Sequence, residues 1–146
     1  MRIFNRENKN EVSFKNTLLK VGIPIVTFKI DRIKLNFILD TGATTSLINS
    51  SSLDKIKNKN KVNDKYDVVT GLDPNIEYRA EKYIIPIKLK NKQFSVEFCS
   101  ISLNATFNEI QQETGIVVDG LLGSDFFEKN KCTLDYNKMT MIFNNE

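Results

Sequence analysis

Apolar and polar residues alternate along much of the chain, and this pattern predicts strands rather than long helices. Residues 25–30 alternate, a turn is expected at 31–32, and residues 33–39 alternate again, which predicts an antiparallel hairpin. Pro24 suits the start of the first strand, because no interior ladder bond is lost there. The hairpin therefore brings Asp40 to the end of a half-buried strand.

The rest of the chain predicts further hairpins and a few short helices. Strand pairs are expected at 66–70 with 76–80, at 83–89 with 94–103, and at 132–136 with 139–143. Short helical segments are expected after Asn49, at 108–114 and from Ser124 or Asp125, with Asn49 or a serine at 50–52 as a cap. Residues 116–123 suggest a buried strand followed by a turn. These elements predict a single all-β domain with one or two short helices.

Length and composition agree with one globular domain. The chain has 146 residues, of which 40% are hydrophobic and 27% charged, a usual balance for a soluble domain. No apolar stretch approaches the ~20 residues of a membrane helix. The first residues are polar and lack the apolar middle of a secretory signal, so we expect no membrane partner and a cytoplasmic location.

The absence of histidine and the positions of the cysteines and lysines exclude or disfavour several classes of function. The chain contains no histidine, which excludes serine–histidine and cysteine–histidine catalysis and the usual zinc sites. Cys99 and Cys132 lie in apolar runs and are interpreted as core residues. The lysine-rich run 55–61 lacks the aromatic side chains that stack on bases and is interpreted as a solvated helix end and loop. We expect no metal, no cofactor and no nucleic-acid partner.

One short motif carries candidate chemistry. Asp40-Thr41-Gly42 occurs once, directly after the apolar strand that ends at Leu39. A carboxylate at the end of a buried strand is costly to desolvate unless it has a role, although an Asx turn in a hairpin connection is a common alternative. About eighty residues later the triplet Leu121-Leu122-Gly123 opens a predicted helix. The two features together favour a catalytic role for Asp40.

The order of these parts resembles the retropepsins, the single-domain aspartic proteases of retroviruses and of related cellular and bacterial proteins. The resemblance is carried by residues 37–48 around Asp-Thr-Gly-Ala and by residues 120–136, and it covers roughly 25–143. It implies an all-β acid-protease barrel, active as a homodimer, that occupies residues 18–146. Residues 1–17 are an N-terminal extension that the resemblance does not explain.

The resemblance also implies roles for individual residues. The catalytic loop would consist of Asp40, Thr41 and Gly42, with Thr41 bonding across a dimer axis. Substrate would contact Ala43, Thr44, Thr45, Val69, Thr70, Gly71, Leu72 and Leu121, of which 69–72 form a mobile flap. Structural support would come from Ser46, Leu122, Gly123 and Asp125, with Ser46 bonded to Asp125.

The sequence departs from the retroviral pattern at positions that concern pairing and specificity. Retroviral enzymes usually have an arginine after the apolar-apolar-glycine triplet, where this chain has Ser124, and often have acidic residues where Thr44 and Thr45 stand. These differences leave the dimer contacts and the substrate preference open. They do not affect the candidate catalytic carboxylate.

The single copy of the motif has a mechanistic consequence. Peptide hydrolysis by carboxylates needs one ionised and one protonated group, and two close aspartates share a proton in this way. Since each chain supplies one Asp40, two chains must meet about a two-fold axis. The predicted function is thus a homodimeric aspartic endopeptidase acting on extended peptides. A peptide-binding or dimerisation module with little or no activity, and a domain that processes only its own precursor, are the alternatives.

Overall fold

A computed structural model describes residues 10–69 and 78–144, except for the side chains of 63–69 and 78–79. Strands dominate these residues, with short helices between them. In chain order the elements are β1 Glu11–Ser13, α1 Lys15–Val21, β2 Ile25–Ile30, β3 Ile33–Leu39, β4 Leu47–Asn49, α2 Ser50–Leu53, β5 Asn60–Val69, β6 Tyr78–Leu89, β7 Lys92–Ile101, α3 Asn104–Thr114, β8 Gly120–Leu122, α4 Ser124–Lys129, β9 Thr133–Asp135 and β10 Thr140–Ile142.

Six strands form a closed barrel. The larger sheet has the order β2-β3-β8-β4-β7-β6-β5, and an additional pairing of β2 with β6 closes the ring. The β3–β8 and β4–β7 pairs are parallel, whereas the other pairs are antiparallel. The predicted all-β barrel is confirmed. The parallel β3–β8 pair brings the end of β3 beside the segment that follows β8.

The hairpin that leads to Asp40 is present as predicted. β2 and β3 pair in register from Ile25 with Ile38 to Ile30 with Ile33. Asp31 in the turn has a φ of 54°, in the left-handed region that short hairpin turns require. Along both strands, alternate side chains are buried, including Phe28 and Phe37, whose rings lie 5.3 Å apart. The alternation seen in the sequence thus corresponds to one buried and one outer face.

A second, smaller sheet consists of β1, β10 and β9. The β9–β10 hairpin confirms the strand pair predicted at the end of the chain. Val12 of β1 pairs with Met141 of β10, so part of the predicted N-terminal extension is packed on the domain. The predicted boundary between residues 17 and 18 falls within α1 and remains a prediction.

The described residues contain four helices, three of which lie where the sequence predicted helical segments. Helix α1 was not predicted, α3 begins four residues earlier than expected, and α4 begins at Ser124 as expected. Asn49 precedes α2 but makes no capping hydrogen bond; its Oδ1 accepts the backbone N–H of Leu103 at 3.0 Å instead. In the described part of the chain, no helix has the length and apolarity that crossing a membrane would require.

Cys132 packs partly buried against the main core, and its environment gives a pH-dependent prediction. Burial raises the pKa of the Cys132 thiol from about 9 to about 11. The neutral thiol is favoured in the folded state, so its contribution to stability is present below pH 9 and is lost as the pH rises through 11. Because the thiolate is the reactive form, we expect alkylation by iodoacetamide at pH 8 to be about a hundredfold slower in the folded than in the unfolded chain.

Peptide mass mapping after timed labelling would measure this rate, with the chain in denaturant as the control. Equal rates for Cys132 in the folded and denatured chain would contradict the prediction.

Candidate active site

The loop that begins with Asp40 connects β3 to β4 at one end of the barrel. The N–H of Asp40 donates to the carbonyl oxygen of Leu122 at 2.9 Å, and the N–H of Leu39 donates to that of Pro24 at 2.9 Å. Asp40 is half-buried, whereas Thr41 and Gly42 are exposed. The backbone that carries the carboxylate is therefore fixed on two sides, while the loop tip faces outward.

The carboxylate of Asp40 has one hydrogen-bond partner within its own loop. Its Oδ1 accepts the N–H of Gly42 at 3.1 Å, which is an Asx turn. The N–H of Ala43 donates to the backbone oxygen of Asp40 at 3.2 Å. Among the side chains that the structure describes, none forms an ion pair or a hydrogen bond with the carboxylate of Asp40. The carboxylate thus has an oxygen available for a partner outside the described residues.

The segment after β8 holds the far side of the loop. The N–H of Ser124 donates to the carbonyl of Ala43 at 2.7 Å, and the N–H of Gly123 donates to Ser46 Oγ at 3.0 Å. Gly123 fits closely, since a Cβ there would lie 2.8 Å from the Ala43 oxygen and 2.9 Å from the Thr45 oxygen. A side chain at this position would push the loop away from the barrel.

Ser46 and Asp125, predicted as a supporting pair, lie in direct contact. Ser46 is fully buried and donates its hydroxyl to Asp125 Oδ1 at 2.7 Å and its N–H to Oδ2 at 3.0 Å. Asp125 Oδ1 also accepts the N–H of Phe126 at 2.8 Å. The partners that the structure describes for the Asp125 carboxylate are therefore Ser46 and the backbone at the start of α4, which agrees with the predicted supporting role.

Removal of the Ser46 hydroxyl should destabilise the loop. We expect Ser46→Ala to lower the free energy of unfolding by about 2 kcal/mol, since a charged acceptor and the N–H of Gly123 both lose a buried partner. Urea unfolding would measure the change. Ser124→Ala is the matched control, because the hydroxyl of Ser124 makes no hydrogen bond with any residue the structure describes. Equal losses in both variants would contradict the prediction.

The residues predicted to contact substrate belong either to the surroundings of the Asp40 loop or to the β5–β6 hairpin. Leu121 is buried in a second apolar cluster, and Ala43 packs partly buried against that cluster beside the loop. Thr44 is exposed and Thr45 is half-buried. Val69 is the last residue of β5 and pairs with Tyr78 of β6, so the predicted long hairpin is present up to that point. Thr70, Gly71 and Leu72, predicted as the flap tip, lie outside the described residues.

Asp119 is a buried carboxylate that the sequence did not single out as a support. It is 5% exposed, and it accepts the N–H of Asn36 at 2.8 Å and the hydroxyl of Ser52 at 2.8 Å. These bonds join β3, α2 and the segment before β8. The partners of Asp119 are far away in sequence and gave no local signal.

A polar cluster at the root of the β5–β6 hairpin was also missed. The hydroxyl of Tyr83 donates to Glu81 Oε2 at 2.8 Å, and Lys61 Nζ lies 3.3 Å from Oε1. The pKa of Glu81 is lowered, first by the hydrogen bond from Tyr83 and then by the one from Lys61. The pKa of Tyr83 is raised by its hydrogen bond to Glu81. Glu81 and Tyr83 both lie on β6 and Lys61 lies on β5, so the ion pair of Lys61 with Glu81 links the two strands and the Tyr83 hydroxyl adds a bond within β6.

Comparison with known proteins identifies the family. The family model described as aspartyl protease matches residues 26–126, which include the Asp40 loop and the segment that holds it. The chain belongs to the aspartyl protease family. The match ends at Phe126, one residue after Asp125, and so it includes the Ser46–Asp125 pair.

Relatives of this chain include a transposon protein. The retrovirus-related Pol polyprotein from transposon 412 of Drosophila melanogaster is 29% identical over 112 residues, which cover 73% of this chain. The chain spans 8% of the length of that polyprotein. The match is therefore to one part of a much longer protein.

Solved structures show the same fold. The EIAV protease complexed with the inhibitor HBY-793 superposes with a TM-score of 0.55 and 17% identity, covering 92% of this aspartyl protease and 99% of that chain. The retroviral protease-like domain of Ddi1 from Leishmania major superposes with a TM-score of 0.55 and 16% identity, covering 84% and 88% of the two chains. The predicted retropepsin-like fold is confirmed.

Proposed function

We propose that the chain is an aspartic endopeptidase that acts as a homodimer, with a water molecule activated between Asp40 and the partner's Asp40. The observation that carries this proposal is the position of Asp40 in an aspartyl protease chain with one Asp-Thr-Gly motif. The carboxylate is held at an outward-facing loop and has no second acid among its described neighbours. A two-fold axis beside the loop would supply that acid from an identical chain.

The chemistry follows from the shared proton. When two carboxylates lie about 3 Å apart, one is ionised and one is protonated, as in aspartic-protease dyads generally. The ionised group takes a proton from water while the water oxygen bonds to the scissile carbonyl carbon, and the protonated group donates to the carbonyl oxygen. The carbon–nitrogen bond then breaks as the amine nitrogen receives a proton. No metal or organic cofactor takes part in these steps.

The substrate is proposed to be an extended peptide with apolar side chains near the scissile bond. Ala43 and the cluster that contains Leu121 provide apolar surface next to the loop. The β5–β6 hairpin, together with the residues 69–72 that the resemblance predicts as a flap, would close over the peptide and exclude water. An extended peptide could then add strand-like hydrogen bonds between the hairpin and the loop.

A peptide-library digest at several concentrations of the full chain tests the proposal. Mass spectrometry should find internal cleavage sites with apolar residues on either side of the cut. Because the active unit contains two chains, specific activity should rise with protein concentration until pairing is complete. Cleavage by a chain that sedimentation shows to be monomeric at the assay concentration would contradict the homodimer. The absence of any cleavage alongside a stable dimer would favour a peptide-binding module instead.

A domain that processes only its own precursor is a second candidate. The curated relative is a polyprotein of which this chain matches 8%, so a natural substrate within the same polypeptide is plausible on that observation. The same mass spectra distinguish the two candidates. Cuts confined to the chain's own sequence, with the library intact, would favour self-processing.

A further inference from the structure

Three lysines form a row across the outside of the barrel, where strands β3, β2 and β6 lie side by side. Lys34 lies directly opposite Lys29, and Lys29 lies directly opposite Lys88. All three side chains are exposed, whereas Phe28 and Ile87 next to them are buried. Since neighbouring strands lie about 4.8 Å apart, this lysine row spans about 10 Å.

The lysine row is electrostatically unfavourable in the isolated chain. Like charges directly opposite each other on adjacent strands repel and destabilise the pairing. None of the three lysines makes an ion pair or hydrogen bond with another described residue. The carboxylate of nearby Asp31 is already engaged, since its Oδ2 accepts the N–H of Lys57 at 3.0 Å and that of Asn58 at 3.3 Å.

A groove lies beside the row. Its volume is about 280 Å³, and its lining residues are Lys29, Asp31, Asn58, Pro86, Ile87, Lys88 and Gln93. On one edge of β6, Ile84 pairs with Asn60 of β5 and Lys88 pairs with Lys29 of β2. The residues of β6 between these two pairs form a gap in the strand pairing, and the groove follows this gap. Pro86 lies within this gap and has no N–H to leave unpaired. The groove therefore combines two ammonium groups with amide side chains and a short apolar floor.

We propose that the lysine row and this groove bind an acidic segment of a polypeptide. Carboxylates of such a segment would neutralise the three ammonium groups, and the amides of Asn58 and Gln93 would hydrogen-bond its backbone or side chains. Lys34 precedes Asp40 by six residues along an extended strand, so the surface lies about 20 Å from the candidate active site. It is a separate interaction surface, and binding there does not depend on hydrolysis.

An acidic polypeptide fits this surface better than a nucleic acid does. Nucleic-acid binding commonly uses about 6–10 phosphate contacts, whereas the row offers three lysines. The groove is lined by no aromatic side chain on which a base would stack. The carboxylate of Asp31 at the groove would also repel a continuous line of phosphates more than it would repel spaced acidic side chains.

Fluorescence anisotropy with a labelled glutamate-rich peptide tests the proposal. The protein is the full chain with Asp40→Asn, so the peptide stays intact and the result is independent of the proposed peptidase activity. We expect binding that weakens as salt is added, because exposed charges are screened. A peptide with glutamine in place of glutamate should not bind.

Two triple variants with equal loss of charge identify the surface. Lys29→Gln/Lys34→Gln/Lys88→Gln should weaken binding about tenfold or more, since it removes every cation of the row. Lys15→Gln/Lys20→Gln/Lys138→Gln, on α1 and the β9–β10 turn, should change the affinity by less than about twofold. Equal losses in both variants would overturn the proposal, because they would mean that only net charge matters.

Three further measurements complete the test. A single-stranded oligonucleotide of the same charge should bind more weakly than the peptide, and tighter binding that depends on the lysine row would overturn the proposal in favour of a nucleic-acid surface. The melting temperature of the row variant should equal or exceed that of the parent, because repulsion is relieved. A clearly lower melting temperature would mean that the lysines stabilise the barrel, and it would remove the premise. Lys88→Gln alone should reproduce part of the loss of affinity.

Discussion

Replacing Asp40 with asparagine should reduce kcat for peptide hydrolysis by about four orders of magnitude or more, as loss of an essential catalytic group generally does. Asparagine has nearly the same shape and still offers an oxygen to the N–H of Gly42, so the loop should keep its structure. It cannot accept a proton from water or share one with the partner's Asp40. Rates at saturating substrate, with circular dichroism and urea unfolding as folding controls, measure the effect.

Mixing the variant with the wild-type chain extends this prediction. If each active unit needs two Asp40 carboxylates, a pair with one asparagine is inactive. At a threefold excess of Asp40→Asn, random pairing leaves only about one quarter of the wild-type chains in wild-type pairs. Activity per wild-type chain should fall to the same fraction. Activity that stays constant in the mixture would mean that one chain suffices.

Gly120→Ala should have the largest effect on stability. A Cβ at Gly120 would lie 2.3 Å from the backbone oxygen of Leu47 and 2.6 Å from the ring of Phe37. Neither atom can move away easily, because both belong to strands that pair with β8. We expect the free energy of unfolding to fall by about 3 kcal/mol or more, as severe overpacking of a core does. Urea unfolding, or loss of soluble protein on expression, would reveal it.

Gly42→Ala provides the matched control. A Cβ there would lie 3.3 Å from Asp40 Oδ1, on an exposed loop with ordinary backbone angles. We expect little change in stability, within about 0.5 kcal/mol, together with reduced peptidase activity because the new methyl group crowds the carboxylate. If Gly120→Ala were no more destabilising than Gly42→Ala, the close packing of β8 against β3 and β4 would be contradicted.

Local patterns in the sequence were sufficient for the elements that depend on local interactions. The β2–β3 hairpin follows from strict alternation on both sides of a two-residue turn, and Asp40 directly follows its second strand. The proximity of Asp40 and Leu122 did not follow from periodicity. It came from the resemblance of two distant motifs to one family, and the parallel β3–β8 pairing explains it physically.

Features that depend on distant partners were not predicted where the resemblance did not imply them. Asn49 was one of the residues expected to cap α2, but its side chain bonds to the N–H of Leu103, which the local sequence does not reveal. The burial of Asp119 depends on Asn36 and Ser52, and these three residues meet only in the folded barrel. The alignment of Lys29 with Lys88 arises from barrel closure at a single residue pair. In each case the determining interaction joins segments tens of residues apart.

The parallel contact between β3 and β8 has a consequence for biosynthesis. Asp40 leaves the ribosome long before Leu122 and Asp125, which hold its loop in place. Contacts between such distant segments form slowly and late. A nascent chain can therefore expose its acidic loop before residues 120–125 have been made, and the support of that loop can form only after this later segment emerges.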